Sequence, residues 1–262
     1  VAEASGARLV HSCGFDSIPY DLGTLFTVDH LPEGEPLAVN CYVRIGAKFS
    51  GGTYHSAVHA MARLRHAARN ASERKRLEPR PDGRRVRGIA GRPRHSTEAG
   101  GWIVPVPTID PQTVLRSARA LDRYGPDFSY GHYAVFKRAI SVAALVGGAG
   151  AGIALAQLPP TRNLMLRVKD PGEGPSEAER AGAWFNVKLV GEGGGHRVVT
   201  EVSGGDPGYS ETSKMLAESA LCLAHDDLPS TAGQVTPAVA MGQALIDRLV
   251  AAGINFRVVE ES

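Results

Sequence analysis

At 262 residues the chain is long enough to bury a sizeable core, as one large domain or two small ones. Its hydrophobic content of 43% and charged content of 21% are ordinary for a globular protein, and a net charge of +2 argues against general nucleic-acid binding. Its three cysteines are scattered without metal-ligand spacing, which predicts a reducing, cytoplasmic compartment and no metal site.

The first predicted elements are an apolar strand over residues 7–13, a compact turn, and a helix over 19–31 that opens with a proline. In the turn, Gly14 would let a ligand approach the backbone closely. Asp16 and Ser17 can orient a bound group or a water, or one of them can cap the helix. Local physics leaves these two interpretations open.

A half-buried strand follows, since the odd positions from Leu37 to Ala47 are apolar and the even positions are mostly polar. The sequence SGGT at 50–53 breaks this strand, and the spacing of apolar residues predicts a helix over 54–71. The N–H groups at such a helix start can face an anion or a carbonyl. A plain break between strand and helix is the favoured interpretation.

Residues 63–94 form a strongly basic segment, with twelve Arg or Lys and three Asp or Glu. The prolines and glycines of its second half predict a loop there, and we assign 63–100 as a basic loop region. The segment can meet anionic lipid headgroups or a phosphate-bearing substrate, although a solvated loop is favoured. It lacks interleaved aromatic residues, which weakens a nucleic-acid interpretation.

Three elements are predicted next along the chain. Residues 102–106 form an edge strand because prolines limit its pairing. Asp110-Pro111 starts a helix, and residues 128–136 form an aromatic-rich strand. Tyr130 and His132 in that strand are interpreted as the edge of the core.

The twenty residues 139–158 carry no charge, and basic residues stand before and after them. As a helix this run would be about 30 Å long, enough to span a bilayer's hydrocarbon region. Its Ala and Gly content makes it a weak insertion signal. A packed soluble helix and a shallow membrane contact both remain open, and a complete span is the least favoured alternative.

The last third of the chain predicts a capped helix, a hairpin, two helices and a strand. Ser176 and Glu179 have the spacing of a capping box, and residues 183–203 form a β-hairpin. Helices over 209–224 and 236–253 precede a strand at 254–259. The predicted class is α+β, a mixed or antiparallel sheet with packed helices. No G-x-G-x-x-G motif occurs anywhere in the chain.

Four blocks agree, in order, with one known family. HSCGFDSIPYDLG at 11–23 closely resembles the signature of saccharopine-dehydrogenase-like oxidoreductases, in the branch of trans-acting enoyl reductases. The resemblance continues through FSGGT at 49–53, GEGPSEAERAG at 172–182 and VTPAVAMGQALIDRL at 235–249. The uncharged run at 139–158 also falls where this branch carries one.

The resemblance implies a two-domain oxidoreductase of which this chain is the second part, without most of the N-terminal Rossmann half. Residues 1–31 would then be the end of the Rossmann domain and a linking helix. Residues 32–235 would form an α+β domain for substrate binding and dimerisation, including the 63–100 loop and the 139–158 helix. Residues 236–262 would form the C-terminal helix and strand.

The same resemblance implies site residues. Those near the nicotinamide are Gly14, Phe15, Asp16, Ser17 and Pro19. Those on the substrate side are Ser50, Gly51, Gly52 and Thr53. The groups that can supply a proton or a hydrogen bond are Asp16, Ser17, Tyr20 and Tyr54, and the sequence does not choose among them.

The function implied is that of an NADPH- or NADH-dependent enoyl reductase in glycolipid or polyketide biosynthesis. A lipid-linked or polyketide-type substrate, a polyketide synthase, a lipid surface and a second copy of the chain are the expected partners. The expected location is the cytoplasm, peripheral at the inner face of the plasma membrane.

Two alternatives stay open. One is a non-catalytic protein of the same fold that binds lipid surfaces or partners. The other is an amino-acid dehydrogenase of the saccharopine type, although Asp16-Ser17-Ile18 departs from the Asp-Pro-Gly turn of those relatives.

Overall fold

A computed structural model describes residues 1–77, 81–106 and 108–262 of the chain. The strands are β1 (Arg8–Val10), β2 (Leu37–Gly46), β3 (Arg85–Gly88), β4 (Arg94–Ser96), β5 (Gly101–Pro105), β6 (Asp127–Phe136), β7 (Trp184–Gly193), β8 (His196–Gly204), β9 (Gly233–Val235) and β10 (Asn255–Glu261). The helices are α1 (Ala2–Ser5), α2 (Ile18–Val28), α3 (Gly51–Ala62), α4 (Leu64–Leu77), α5 (Asp110–Ala120), α6 (Ala139–Ala156), α7 (Pro159–Leu166), α8 (Glu177–Ala181), α9 (Ser210–His225), α10 (Pro237–Ala240) and α11 (Gly242–Ala251).

An eight-stranded mixed sheet lies at the centre, in the order β10-β8-β7-β2-β6-β5-β4, with β3 also paired to β6. The β2–β6 and β3–β6 pairs are parallel, and the remaining pairs of this sheet are antiparallel. The predicted α+β class with a mixed sheet is confirmed.

The alternation predicted for β2 is confirmed over most of its length. Leu37, Val39, Cys41 and Val43 are buried in the main core. Helix α2 covers this face of the sheet and comes close to β7 and β8, because a Cβ on Gly23 would lie only 3.0 Å from a methyl group of Val202. The helix is therefore fixed to the sheet by backbone proximity and by apolar packing.

The predicted basic loop over 63–100 is wrong for most of its length. It contains α4, β3 and β4, while residues 78–80 lie outside the described part. Strand β3 exists because β6, about 40 residues later, supplies its hydrogen-bonding partner. The Arg84 side chain holds this region by donating to the carbonyl groups of Ala118, Leu121 and Gly125.

Several predicted boundaries need correction. The helix expected over 54–71 starts at Gly51 and is interrupted at Arg63. The strand over 102–106 is not an edge, since β5 lies between β4 and β6. The helix expected over 236–253 is broken at Met241 into α10 and α11.

A small two-stranded parallel sheet lies apart from the main one. It joins β1 to β9 in the register Arg8↔Gly233 to Val10↔Val235. Because β1 leads into the turn at 11–17 and β9 leads into α10, this pairing brings the two segments side by side.

Candidate active site

The turn between β1 and α2 is built from backbone hydrogen bonds. The N–H groups of Ser17 and Ile18 donate to the carbonyl of Gly14 at 3.1 and 3.0 Å. Ser12 has a φ of 61°, the left-handed conformation that non-glycine residues rarely adopt. Such strain is typical of ligand-binding turns, which favours the ligand interpretation of this segment.

Ser17 stands at the N-cap position of α2 but makes no capping hydrogen bond. Its hydroxyl is fully buried and lies 3.2 Å from the Thr113 hydroxyl of α5. Ser17 therefore ties the turn to α5. The capping role that the sequence left open for it is not the one observed.

The two motifs singled out in the sequence meet at one cavity of about 360 Å³. Phe15, Asp16 and Tyr20 line it from the first motif, and Ser50 and Thr53 line it from the second. The remaining lining residues are Ile45, Ala47, Lys48, Phe49, Thr108, Asp110, Pro207, Gly208 and Thr212. Of the four candidate proton donors, Asp16 and Tyr20 face this cavity.

The other two candidates lie elsewhere. Ser17 is buried against α5, and the Tyr54 hydroxyl donates to the Met165 carbonyl of α7 at 3.0 Å. Tyr54 thus links α3 to α7, which is a packing contact.

The second motif shapes the start of α3. Ser50 caps this helix, accepting a hydrogen bond from the Thr53 N–H at 3.1 Å. Gly51 donates its N–H to the Glu173 carbonyl at 2.7 Å, and a Cβ there would lie 1.9 Å from the Asp170 carbonyl oxygen. Glycine is therefore required at 51 by close packing, whereas Gly52 is exposed on the helix surface.

Gly14 and Pro19 shape the first motif without facing the cavity. A Cβ on Gly14 would lie 3.1 Å from a methyl carbon of Thr212, whose hydroxyl accepts a hydrogen bond from the Phe15 N–H at 3.2 Å. Pro19 is buried in the first turn of α2. On the other side of the turn lies a second cavity of about 290 Å³. Its lining is mostly polar: His11, Ser12, Ile109, Gln112, Thr113, Arg116, Gln234, Val235 and Thr236.

The sequence reasoning missed the most perturbed carboxyl group of the first cavity. Asp110 is the first residue of α5 and is only 5% exposed. Burial, reinforced by the negative charge of Asp16, raises the pKa of Asp110 to about 7. Its Oδ1 atom is buried and has no hydrogen-bond partner among the described residues. Such a group holds a proton near neutral pH, which suits a general acid.

His132 and two tyrosines stand behind Asp110. The His132 Nε2 atom lies 3.7 Å from Asp110 Oδ2, and its Nδ1 atom lies 3.1 Å from the Tyr130 hydroxyl. Burial lowers the pKa of His132 to about 4, so the imidazole is neutral at pH 7. The Tyr20 ring meets the imidazole edge to face, and burial raises the Tyr20 pKa well above its usual value. His132, Tyr130 and Tyr20 therefore form a buried, uncharged group behind Asp110.

One signal in the sequence pointed to this group. Phe128, Tyr130 and His132 share one face of β6 by period two, and all three are buried. A histidine on the buried face of an aromatic strand needs a polar partner. Which partner it meets depends on the packing of α5, which periodicity does not reveal.

A second buried carboxyl group, Asp21, lies deeper between α2, α5 and α10. It accepts hydrogen bonds from the Ser117 hydroxyl at 2.5 Å and from the Ala238 N–H at 2.9 Å. The Ser117 hydroxyl also lies 2.6 Å from that of Thr236. Burial raises the pKa of Asp21 to about 6. Both of its oxygens accept hydrogen bonds, so Asp21 holds α2, α5 and α10 together.

Within the ranges that the structure describes, no group of three or more His, Cys, Asp or Glu side chains is placed to hold a metal ion.

No family model matches the chain. Among curated proteins, a trans-acting enoyl reductase of Mycobacterium tuberculosis is 34% identical over 289 residues, covering 98% of the chain and 68% of that protein. The trans-acting enoyl reductase of Mycobacterium ulcerans is 30% identical, covering 97% and 68%. A saccharopine dehydrogenase-like oxidoreductase of Rattus norvegicus is 27% identical, covering 100% and 67%.

Proposed function

Because the chain belongs to the family of trans-acting enoyl reductases and saccharopine dehydrogenase-like oxidoreductases, we propose that it carries the substrate side of a nicotinamide-dependent enoyl reductase. The substrate would be a lipid-linked or polyketide-type enoyl thioester, presented in trans by a polyketide synthase. In this proposal the chain is the α+β second domain of a two-domain enzyme.

The observation that carries the proposal is the cavity where the two motifs meet at Asp110. Reduction of an enoyl double bond adds a hydride to the β-carbon and a proton to the α-carbon. A carboxyl group with a pKa near 7 can give that proton at neutral pH and regain one from solvent. We assign this donation to Asp110, with Tyr20 and Asp16, which line the same cavity, orienting the substrate.

The residues present fit one end of a nicotinamide cofactor. The turn at 12–16 separates the two cavities, and the polar lining of the second one suits a carboxamide, which both donates and accepts hydrogen bonds. A bound reduced nicotinamide would supply the hydride. Gly14 and Phe15 would hold the nicotinamide ring against the turn. The pyrophosphate would need a G-x-G-x-x-G motif, and that spacing does not occur in these 262 residues.

The cavity favours an uncharged acyl group over an amino acid. Carboxylate substrates are usually held by arginine in bidentate pairs. Lys48 is the one cation in the described lining, and its ammonium group is already paired with Glu179 at 2.5 Å. Phe15, Ile45 and Phe49 offer apolar surface to an acyl chain.

The test is the oxidation of NADPH and NADH in the presence of a short, soluble 2-enoyl thioester. It uses the 262-residue chain alone and the same chain joined to the part of the Mycobacterium tuberculosis relative that the alignment leaves out. We expect oxidation that requires the enoyl thioester and that Asp110→Asn lowers about 100-fold. Oxidation with saccharopine but not with the thioester would overturn the substrate assignment.

A fluorescence titration with both nucleotides accompanies this assay. If neither form of the chain binds NADPH or NADH, the cofactor assignment is wrong and a non-catalytic role replaces it. For Asp110→Asn in the oxidation assay, the matched control is Asp227→Asn, which changes an exposed carboxyl group away from the cavity.

A further inference from the structure

Helix α6 has an unusual surface for a protein in water. By its length and its apolar composition, this helix could cross a membrane. Only Val142 and Ala156 of its 18 residues are buried. A helix that is apolar all round is normally covered, either by protein or by lipid. The large apolar side chains that it and the following residues expose are Ile140, Leu145, Val146, Ile153, Leu155, Leu158, Leu164 and Val168.

The charged residues that flank α6 in the sequence all have one sign. No Asp or Glu occurs between Asp127 and Asp170, whereas Lys137, Arg138, Arg162, Arg167 and Lys169 lie in that stretch. The packed helix α3 and its surroundings repeat the pattern, since no Asp or Glu occurs between Glu35 and Glu73. Lys137, Arg138 and Arg167 are exposed. An apolar surface bordered by unbalanced positive charge complements an anionic lipid leaflet.

We propose that α6 and α7 dock the protein on an anionic membrane surface, with α6 lying along the interface and its exposed side in the acyl region. The helix is held to the protein and is not free to cross the bilayer. The Gln157 side chain donates to the Met61 carbonyl of α3 at 2.9 Å. A Cβ on Gly152 would lie 3.1 Å from the Met61 sulfur atom, so the two helices are in close contact.

A second copy of the chain is a poorer occupant of this surface. Two such faces brought together would oppose the same cluster of lysines and arginines, and like charges in contact are unfavourable. An anionic leaflet offers both the apolar cover and the opposite charge.

The docking surface is connected to the proposed active site through α3. This helix starts at the cavity with Ser50 and ends beside α6 with Met61, a length of about 18 Å at 1.5 Å per residue. Lys169 also reaches back from the α7 side to the Phe49 carbonyl at 2.6 Å. This connection places a leaflet that carries a lipid-linked substrate one helix length from the cavity. This part rests on the proposed function, whereas the docking itself does not.

The experiment is co-flotation of the full chain with vesicles, without nucleotide or substrate. Vesicles of phosphatidylcholine alone are compared with vesicles containing roughly 30% phosphatidylglycerol. We expect binding to the anionic vesicles only, weakened about fivefold or more between low salt and about 0.5 M salt. The double variant L145E/V146E should bind at least about tenfold more weakly.

The matched control is Leu216→Glu, on α9. Leu216 is 58% exposed and Val146 is 52% exposed, so both substitutions place a charge at a similarly exposed apolar position. Thermal unfolding of all three proteins establishes that they fold equally well. Equal loss of binding in L216E and L145E/V146E would overturn the assignment to α6.

Three other results would also overturn the proposal. The first is no vesicle binding by a folded chain, particularly if light scattering shows a dimer that L145E/V146E disperses. The second is equal binding to both kinds of vesicle. The third is bound protein that resists both high salt and an alkaline carbonate wash, which indicates a span. The reductase assay uses a soluble thioester without vesicles, so failure of docking and failure of the enzyme function are separate results.

Discussion

Asp21 and Asp110 are two buried carboxyl groups on neighbouring helices, and burial raises the pKa of both. Their surroundings differ in one respect. Both oxygens of Asp21 accept hydrogen bonds, from Ser117 and from the backbone of Ala238. One oxygen of Asp110 has no partner in the described structure and lies at a cavity.

The difference separates a structural carboxyl group from one that is available for chemistry. A satisfied carboxyl group stabilises the fold because removing it leaves other buried groups without partners. An unsatisfied one costs stability, and such a cost is typical of functional sites. Burial and a raised pKa alone do not make this distinction, whereas the hydrogen-bond partners do.

The largest expected effect is on the Asp21 side. Asp21→Ala leaves the Ala238 N–H without its partner and removes the carboxylate acceptor of the Ser117 hydroxyl, and should lower the free energy of unfolding by about 3 kcal/mol. Urea denaturation measures it. Asp21→Asn is the control, because its amide can still accept from Ala238 and donate to Ser117, and it should cost less than about 1 kcal/mol. If both variants lose the same stability, the hydrogen bonds of Asp21 are not what stabilises the fold at this position.

Asp110→Asn should have the opposite effect on stability and a large effect on activity. It removes the proposed proton donor, so kcat should fall about 100-fold, equivalent to about 2.7 kcal/mol. It also removes a poorly solvated charge, so the free energy of unfolding at pH 8 should rise by about 1 kcal/mol. Steady-state kinetics and urea denaturation at pH 8 check the two parts. A variant that keeps full activity would place the proton donor elsewhere.

The pH dependence sharpens the comparison further. A carboxyl group whose pKa is raised in the folded state destabilises the fold above that pKa, and this cost disappears as pH falls toward its unfolded value of 3.8. The stability gained by Asp110→Asn should therefore shrink as pH falls through about 7 and vanish near pH 4. For Asp21→Asn the corresponding change should run from about pH 6 down to near pH 4.

His132 acts in the opposite direction. Its pKa is lowered to about 4 from 6.5, so the unfolded chain binds its proton first and stability falls as pH falls from 6.5 to 4. In the unsubstituted chain this loss offsets the gain from the two carboxyl groups. Denaturation series from pH 4 to pH 8, taken as differences between variant and parent, isolate each group. Identical pH profiles for the two Asn variants would contradict the different pKa values of the two groups.

The smallest expected effect concerns helix caps. Ser50→Ala and Ser176→Ala each remove a capping hydroxyl, from α3 and α8, and each should cost about 1 kcal/mol. Only Ser50 also lines the cavity, so only Ser50→Ala should raise the KM for the thioester, by about threefold. Denaturation and initial rates distinguish the two positions. An equal change in KM would show that the effect is one of stability alone.

Local patterns predicted much of the fold. The alternation in β2, the capping box at Ser176 and the hairpin of β7 and β8 are each contained in a few consecutive residues, and each is observed. Features set by distant partners were not predicted. Strand β3 needs β6 as its partner. Helix α9 packs through Met215, Ser219 and Cys222, whereas Leu216 faces solvent.

The candidate site divides in the same way. The two motifs were found from the sequence, and it was the family resemblance, not their spacing, that assigned them to one site. Asp110 was recognised only as a helix start. Its burial and its proximity to His132 arise where α5 packs on β6, a contact between segments that no local pattern relates.

The parallel pairing of β1 with β9 bears on the order in which the molecule folds. The turn at 11–17 and the start of α2 have hydrogen-bonding partners that lie far along the chain. Phe15 pairs with a residue 197 positions later, and Asp21 with one 217 positions later. Contacts of such high sequence separation form slowly because the loop entropy must be overcome first. We therefore expect the turn at 11–17 to be completed among the last folding steps, so that a chain shortened before Gly233 would lack both β9 and the Ala238 partner of Asp21.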